Sequence, residues 1–226
     1  MSNPVHADFE ISELVKQRLF PEHRFQYSAQ QLCFLCKCIS DTKSLAGNIA
    51  EIGCEYGHTT VFLNNYISDL AGHNKTYFAI DTFAGFTGSD VLFEVENRSK
   101  EGIAFDDFKE NRKEWFERTM KINNITRVNV IEADINVLDL TSIGILSFVL
   151  LDVDLYRPTK KAIPELYEIL SPGGILIVDD CNPTSTKWDG AYQAYIEFVE
   201  SINATPRIRH GKLGVIHKLA HDATPY

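Results

Sequence analysis

Long apolar runs are missing from these 226 residues, and so is any block of basic charge. Without a stretch near the roughly 18 apolar residues needed to cross a bilayer, no membrane span is expected. The opening MSNPVHADFE lacks the charged and apolar regions of a secretory leader, so the expectation is a cytoplasmic protein. Lysine and arginine number 22 against 31 aspartates and glutamates, a formal charge of −9. Neutralising phosphates takes a basic face, so no nucleic-acid partner is expected. Cysteines number only five, and three of them crowd at Cys33, Cys36 and Cys38. Tetrahedral zinc takes four ligands, and no second Cys or His pair stands at a suitable spacing. The same stretch reads as a helix: Leu32, Leu35, Cys36 and Ile39 recur at helical spacing, and Ser28 and Gln31 ahead of them fit a capping box. Free, half-buried thiols follow.

No repeat, low-complexity tract or Gly/Ser linker divides the chain, so residues 1–226 read as a single domain. Strand-like runs lie at Asn48–Ile52, Thr76–Ile80, Arg127–Ile131, Leu146–Leu151 and Gly174–Val178, with helical patterns between most of them. Strands apolar on both faces that alternate with helices form a parallel sheet covered on both sides. After the last of them comes an apolar stripe, Ala191, Ala194, Tyr195, Phe198, Val199 and Ile202. Short runs at Arg207–His210 and Leu213–Lys218 then predict a closing antiparallel hairpin. Pro164 interrupts Thr159–Leu170, which predicts a kink or a helix that begins near Ile163. The stretch 82–121 is too long for an ordinary connection. It reads as a lid-like insertion, irregular at first and then a charged surface helix over Phe105–Met120. Residues 1–44 read as an N-terminal helical cap.

Glu51-Ile-Gly-Cys-Glu-Tyr-Gly57-His-Thr-Thr follows the first strand and opens a helix. Glycines at 53 and 57 permit a tight turn and close approach to a ligand. A dinucleotide fingerprint would need Gly-x-Gly-x-x-Gly, but Glu55 and Tyr56 break it, and an acid facing a pyrophosphate is repulsive. A phosphate-free nucleoside with an amino-acid tail fits better. Here the sequence resembles the class I S-adenosylmethionine (SAM) dependent methyltransferases, whose E-x-G-x-x-x-G turn matches Glu51, Gly53 and Gly57. The resemblance implies a Rossmann-like, mostly parallel seven-stranded sheet with a C-terminal antiparallel hairpin and helices on both faces. It also implies Asp81, after the second strand, as ribose ligand and Asp134, after the third, beside the adenine. Thr82, His58, Thr59 and Asp152 join Glu51, Gly53 and Gly57 in the expected cofactor set, with His58 at a position the family fills with a small residue.

Leu150-Leu-Asp152-Val-Asp154-Leu-Tyr156 and Val178-Asp179-Asp180-Cys181 end the fourth and fifth strands. Neighbouring parallel strands bring these acids together, and neither short motif contains a Lys or Arg to offset their repulsion. A divalent cation removes it, and oxygen-only ligands suit Mg²⁺. These motifs, with Asp81-Thr-Phe-Ala-Gly-Phe86 and Ser171-Pro-Gly-Gly174, resemble the macrocin O-methyltransferase family, which methylates sugar hydroxyls on natural products and depends on Mg²⁺. The resemblance implies Asp152, Asp179 and Asp180 as metal ligands and Asp154 as general base, with Asp152 beside it in the catalytic set. The strand period agrees, since residues two apart face one way. Tyr156 and Trp188 flank these strands and are expected near the substrate, a hydroxylated small molecule. A metal-dependent hydroxylase on this fold, similar to cephalosporin hydroxylase, would need histidine ligands, and none of His23, His58, His73, His210 or His217 falls in the metal motifs. A SAM-binding protein without chemistry is disfavoured by the intact aspartates. A homodimer is the commonest assembly for such a chain.

Overall fold

The computed structural model describes residues 25–72, 74–106 and 108–219. The first 24 residues of the expected N-terminal cap lie outside that range. Within it, helix α1 (Ala29–Asp41) starts at Ser28, whose hydroxyl accepts from Gln31 N while the Gln31 side chain accepts from Ser28 N, the reciprocal box anticipated from sequence. All five cysteines are free, and only Cys33 is exposed.

Five parallel strands follow: β1 (Asn48–Ile52), β2 (Tyr77–Asp81), β3 (Val128–Glu132), β4 (Leu146–Leu151) and β5 (Leu170–Val178). A hairpin of β6 (Ile208–Arg209) and β7 (Leu213–His217) adds antiparallel to β5, giving the order β3-β2-β1-β4-β5-β7-β6. Six α-helices lie among the described residues: α1, α2 (His58–Asp69), α3 (Gly88–Arg98), α4 (Lys113–Ile122), α5 (Tyr156–Ile169) and α6 (Asp189–Ser201). Alternation along the strands divides the core into two faces. Ile52, Val149, Leu151, Leu176 and Val178 meet α5 and α6 through Ala162, Ile163, Leu166, Ala191 and Tyr195. Ile49, Phe148, Leu150, Ile175 and Ile177 meet α1 and α2 through Leu35, Ile39, Leu63 and Ile67. Strand β4, central in the order, is buried at every position, which is why it reads as an unbroken apolar run.

Register fixes what stands at the carboxyl ends. Ile52 pairs with Ile80 and Leu151, Leu151 pairs with Val178, and Asp81 pairs with Glu132. The next residues, Gly53, Asp81, Ala133, Asp152 and Asp179, therefore stand together along one rim of the sheet.

Three expectations need correction. Helix α5 runs unbroken from Tyr156 with Pro164 inside it, and does not begin near Ile163. Lys160 and Pro164 are both exposed, so the carbonyl that loses its partner to the proline faces water. Strand β5 begins at Leu170, ahead of the expected Gly174, and Ser171-Pro-Gly-Gly174 forms a bulge within it, since pairing with β4 jumps from Leu170 to Ile175. The insertion carries α3 in its first half, capped by Thr87, while Phe105 ends a 3₁₀ turn and the charged helix starts only at Lys113. Buried charge docks α3. Glu94, 1% exposed, accepts from the Tyr156 amide at 2.8 Å and pairs with Arg98 at 2.7 Å, and Arg98 reaches Asp189 at 2.9 Å. One acid thus satisfies the first turn of α5 and links the insertion to α6.

Candidate active site

A cavity of about 740 Å³, counting its open mouth, runs along the carboxyl rim from β4 across β1 and β2 to β3. Gly53 lines it with φ +83°, and a Cβ there would lie 1.6 Å from the Asp152 carbonyl oxygen, so only glycine lets β1 and β4 close up beneath the ligand. The amides of Cys54 and Glu55 both donate to Asp81 Oδ2 at 2.8 Å, and the Phe83 amide donates to Oδ1 at 2.8 Å. Asp81 therefore organises the glycine turn as well as lining the cavity. A carboxylate oxygen has two lone-pair sites, which leaves Oδ1 one for a ligand hydroxyl. Thr82 and Asp134 also line the cavity; Thr82 Oγ1 donates to Gly85 O at 2.7 Å, and Asp134 Oδ1 accepts from Asn136 N at 2.8 Å.

Other members of the expected cofactor set do not reach the cavity wall. Glu51 is 1% exposed, and its Oε2 accepts from Thr60 Oγ1 at 2.6 Å and Tyr77 OH at 2.7 Å, binding β1 to α2 and β2 behind the turn. Gly57, at φ +81°, opens α2, and a Cβ there would strike Met120 and Phe116 of α4 at 2.5 and 2.8 Å, so this glycine serves packing. His58 is exposed beside Tyr56, and Thr59 follows it in the helix, neither lining the cavity.

Burial lifts the Glu51 carboxyl to about 7 from an ordinary value near 4.5, although both hydroxyls favour its ionised form. Between those values the folded protein keeps a proton that the unfolded chain has released, so this group lowers stability as pH rises, by about 3 kcal/mol in total. Urea unfolding of wild type and Glu51→Gln checks this. Relative to wild type, the variant should gain about 3 kcal/mol between pH 4.5 and 8; a stability difference that stays constant with pH contradicts the assignment.

At the β4 and β5 tips the carboxylates converge. Asp152, Asp154 and Asp180 each offer an oxygen within 4.8 Å of the others, the group of described residues here that could hold a metal ion. Asp152 and Asp154 line the cavity. The pleat does not bring them together: β4 ends at Leu151, and Asp154 turns inward through a left-handed φ of +60°, as Asp180 does at +55°. Asp179, expected as a third ligand, stands outside this group. Its Oδ2 accepts from Lys212 Nζ at 2.6 Å, while its Oδ1 is buried without a hydrogen-bond partner. Lys212 also lies 3.5 Å from Asp180, and Tyr27 OH donates to Asp152 Oδ2 at 2.7 Å. Burial first, then mutual repulsion, pushes the carboxyls of Asp152 and Asp154 well above the usual range. Burial also lifts Asp179 to about 6, with Lys212 opposing. Crowded oxygen donors whose carboxyls are raised by burial and mutual repulsion fit a hard divalent cation such as Mg²⁺.

Two expected substrate residues are placed elsewhere. Tyr156 starts α5 and turns toward α6: its ring stacks on Phe93 at 5.7 Å and its hydroxyl donates to Glu197 at 2.9 Å. Trp188 stands behind the wall, 5.9 Å from Phe86, which itself lines the cavity.

A family model described as "Macrocin-O-methyltransferase (TylF)" matches residues 28–208. Among solved structures, the chain is similar to the O-methyltransferase NovP, with TM-score 0.68 and 17% identity over 84% of this chain and 80% of that one. The calicheamicin methyltransferase CalS11 gives TM-score 0.68 and 18% identity over 94% and 87%. An rRNA methylase from Streptococcus thermophilus gives 0.51 and 16% over 86% and 99%. At these identities the likenesses establish the shared fold, which by itself does not choose an acceptor. No curated relative matches the sequence.

Proposed function

Because the chain belongs to the macrocin-O-methyltransferase family, we propose that it transfers the methyl group of SAM to a hydroxyl of a sugar-bearing small molecule, with Mg²⁺ held by Asp152, Asp154 and Asp180. The observation that carries this reading is the convergence of those three carboxylates at the end of the cavity that Gly53 and Asp81 line, with Asp152 and Asp154 in its wall and Asp180 against them. Bound there, Mg²⁺ supplies the Lewis acidity that makes a neutral alcohol a competent nucleophile. Asp154 lines the cavity, and its carboxylate oxygen not committed to the ion takes the hydroxyl proton. Tyr27 holds Asp152 in place, and Lys212 does the same for Asp179. The glycine turn and Asp81 seat the nucleoside, so that oxygen, methyl carbon and sulfur can align. Such alignment contributes about 7 kcal/mol or more to lowering a barrier. The turn meets the sulfonium mainly with backbone, which suits a positive charge that disappears in the transition state.

Calorimetric titration with SAM, with and without Mg²⁺, followed by a screen of hydroxylated acceptors, tests the proposal. Methyl transfer that is indifferent to chelation would remove the ion from it. Asp81→Ala should weaken SAM binding by at least about 10-fold, because a charge-assisted hydrogen bond and the turn it organises are lost together. Unaltered affinity would count against the ribose role.

A further inference from the structure

Lys212 is carried to the reacting end by the turn of the β6–β7 hairpin, between the paired residues Arg209 and Leu213. Its ammonium lies 2.6 Å from Asp179 Oδ2, 3.5 Å from Asp180 Oδ1 and 4.9 Å from the centre of the Tyr27 ring, whose hydroxyl donates to Asp152. One cation therefore faces both acids at the β5 tip. Cys181 N donates to Lys212 O at 2.7 Å, which ties the turn to the residue after Asp180, while Gln31 Nε2 donates to His210 O at 2.9 Å and the Phe34 ring packs 5.1 Å from that of His210. The backbone that bears the ammonium is thus fastened on two sides.

Asp179 is turned to this lysine and away from the clustered acids. Its Oδ1 is shut away from solvent, its Oδ2 is the atom that Lys212 holds, and it stands outside the group formed by Asp152, Asp154 and Asp180. It is nevertheless close by: it adjoins Asp180 in the chain, and after burial its charge is the largest influence pushing up the Asp152 carboxyl. A fourth acid thus stands beside the site without serving it. The count of charged ligands sets how tightly a hard divalent ion is held, and Mg²⁺ in enzymes commonly keeps part of its octahedral shell for water and substrate. A fourth carboxylate would fill more of that shell and tighten the grip. Resting on the Mg²⁺ reading above, we propose that Lys212 is a tethered counter-ion that withholds Asp179 from the divalent ion, so that three carboxylates hold the ion exchangeably and positions stay open for the acceptor's oxygens. Lys212 is a positioning residue in this role, since it does not line the cavity and acts through Asp179.

Titrating metal-free protein with Mn²⁺, and reading the unbound ion by electron paramagnetic resonance, tests this without any turnover. Lys212→Met should bind Mn²⁺ at least about 10-fold more tightly than wild type, because a repelling cation goes and a further carboxylate is released. Asp179→Asn should stay within about 10-fold of wild type, since the residue it alters is not a ligand. The same lysine change made in the Asp179→Asn background should gain at least about fivefold less, because no acid is left there to release. Equal affinity in wild type and Lys212→Met, or an equal gain in both backgrounds, overturns the inference and leaves the Mg²⁺ reading intact. Failure of all these proteins to bind Mn²⁺ overturns both. If circular dichroism shows that Lys212→Met does not fold, Asp179→Asn decides alone, and a loss of Mn²⁺ affinity beyond about 10-fold would make Asp179 a ligand and refute the role.

Discussion

Asp180→Asn should lower methyl transfer by at least about 100-fold while leaving S-adenosylhomocysteine affinity within about threefold. Asp154→Asn should do the same. Both residues hold left-handed backbone conformations, φ +55° and +60°, that asparagine tolerates better than most residues. Each variant therefore keeps shape and backbone and removes only charge. The three clustered carboxylates become two, which weakens the grip on a divalent ion, and in Asp154→Asn the proton acceptor is lost as well. Neither change touches Gly53 or Asp81. Rate measurements beside calorimetry separate the outcomes: full turnover in both variants removes the metal assignment, and a parallel loss of nucleoside binding would mean that the pocket itself had been disturbed.

Gly53→Ala should yield no stably folded protein, with a cost above about 4 kcal/mol. The added methyl would lie 1.6 Å from the Asp152 carbonyl oxygen and 2.6 Å from its carbon, and both belong to backbone that cannot swing away. Strands β1 and β4 would have to part at the centre of the sheet, where Ile52 pairs with Leu151. Gly72→Ala is the control. That glycine also has a positive φ, +76°, but a Cβ there meets nothing within 4 Å, so the expected loss is about 1 kcal/mol of conformational strain. Comparable urea midpoints for the two variants would show that close approach at Gly53 is not what fixes this residue.

Sequence revealed most where local pattern carries the physics. The β4 run of apolar residues, the capping box at Ser28 and the acids at the ends of β2, β3, β4 and β5 are all features of single segments, and the strands begin and end within a residue of their expected bounds, apart from the start of β5. What sequence hid depends on pairs far apart in the chain. Lys212 lies 32 and 33 residues from the aspartates it faces, and Tyr27 lies 125 from Asp152. No spacing rule points to either. The carboxylates also redistribute once side-chain direction is known, because Asp179 turns to Lys212 while Asp154 turns into the cavity. Tyr156 misled for a related reason: it is adjacent to the metal motif in sequence, but starting a helix rotated it toward Glu197. The helix in the insertion went unseen because α3 is exposed at Leu92 and Val95 and buries chiefly polar groups, Asp90 and Glu94, so apolar periodicity gave no signal.

The hairpin of β6 and β7 bears on how the site comes into being during synthesis. Strands β4 and β5 leave the ribosome well before Lys212, so their acidic tips exist for a time without the cation that later sits against Asp179 and Asp180. Over the same interval β5 is an unprotected edge, since the strand that covers it, β7, has yet to emerge. One late event therefore closes the sheet and sets a cation against the acidic tip of β5. A nascent chain has the β1, β2 and β3 side of its cavity encoded early, but gains the lysine facing Asp179 and Asp180 only when its final strands arrive.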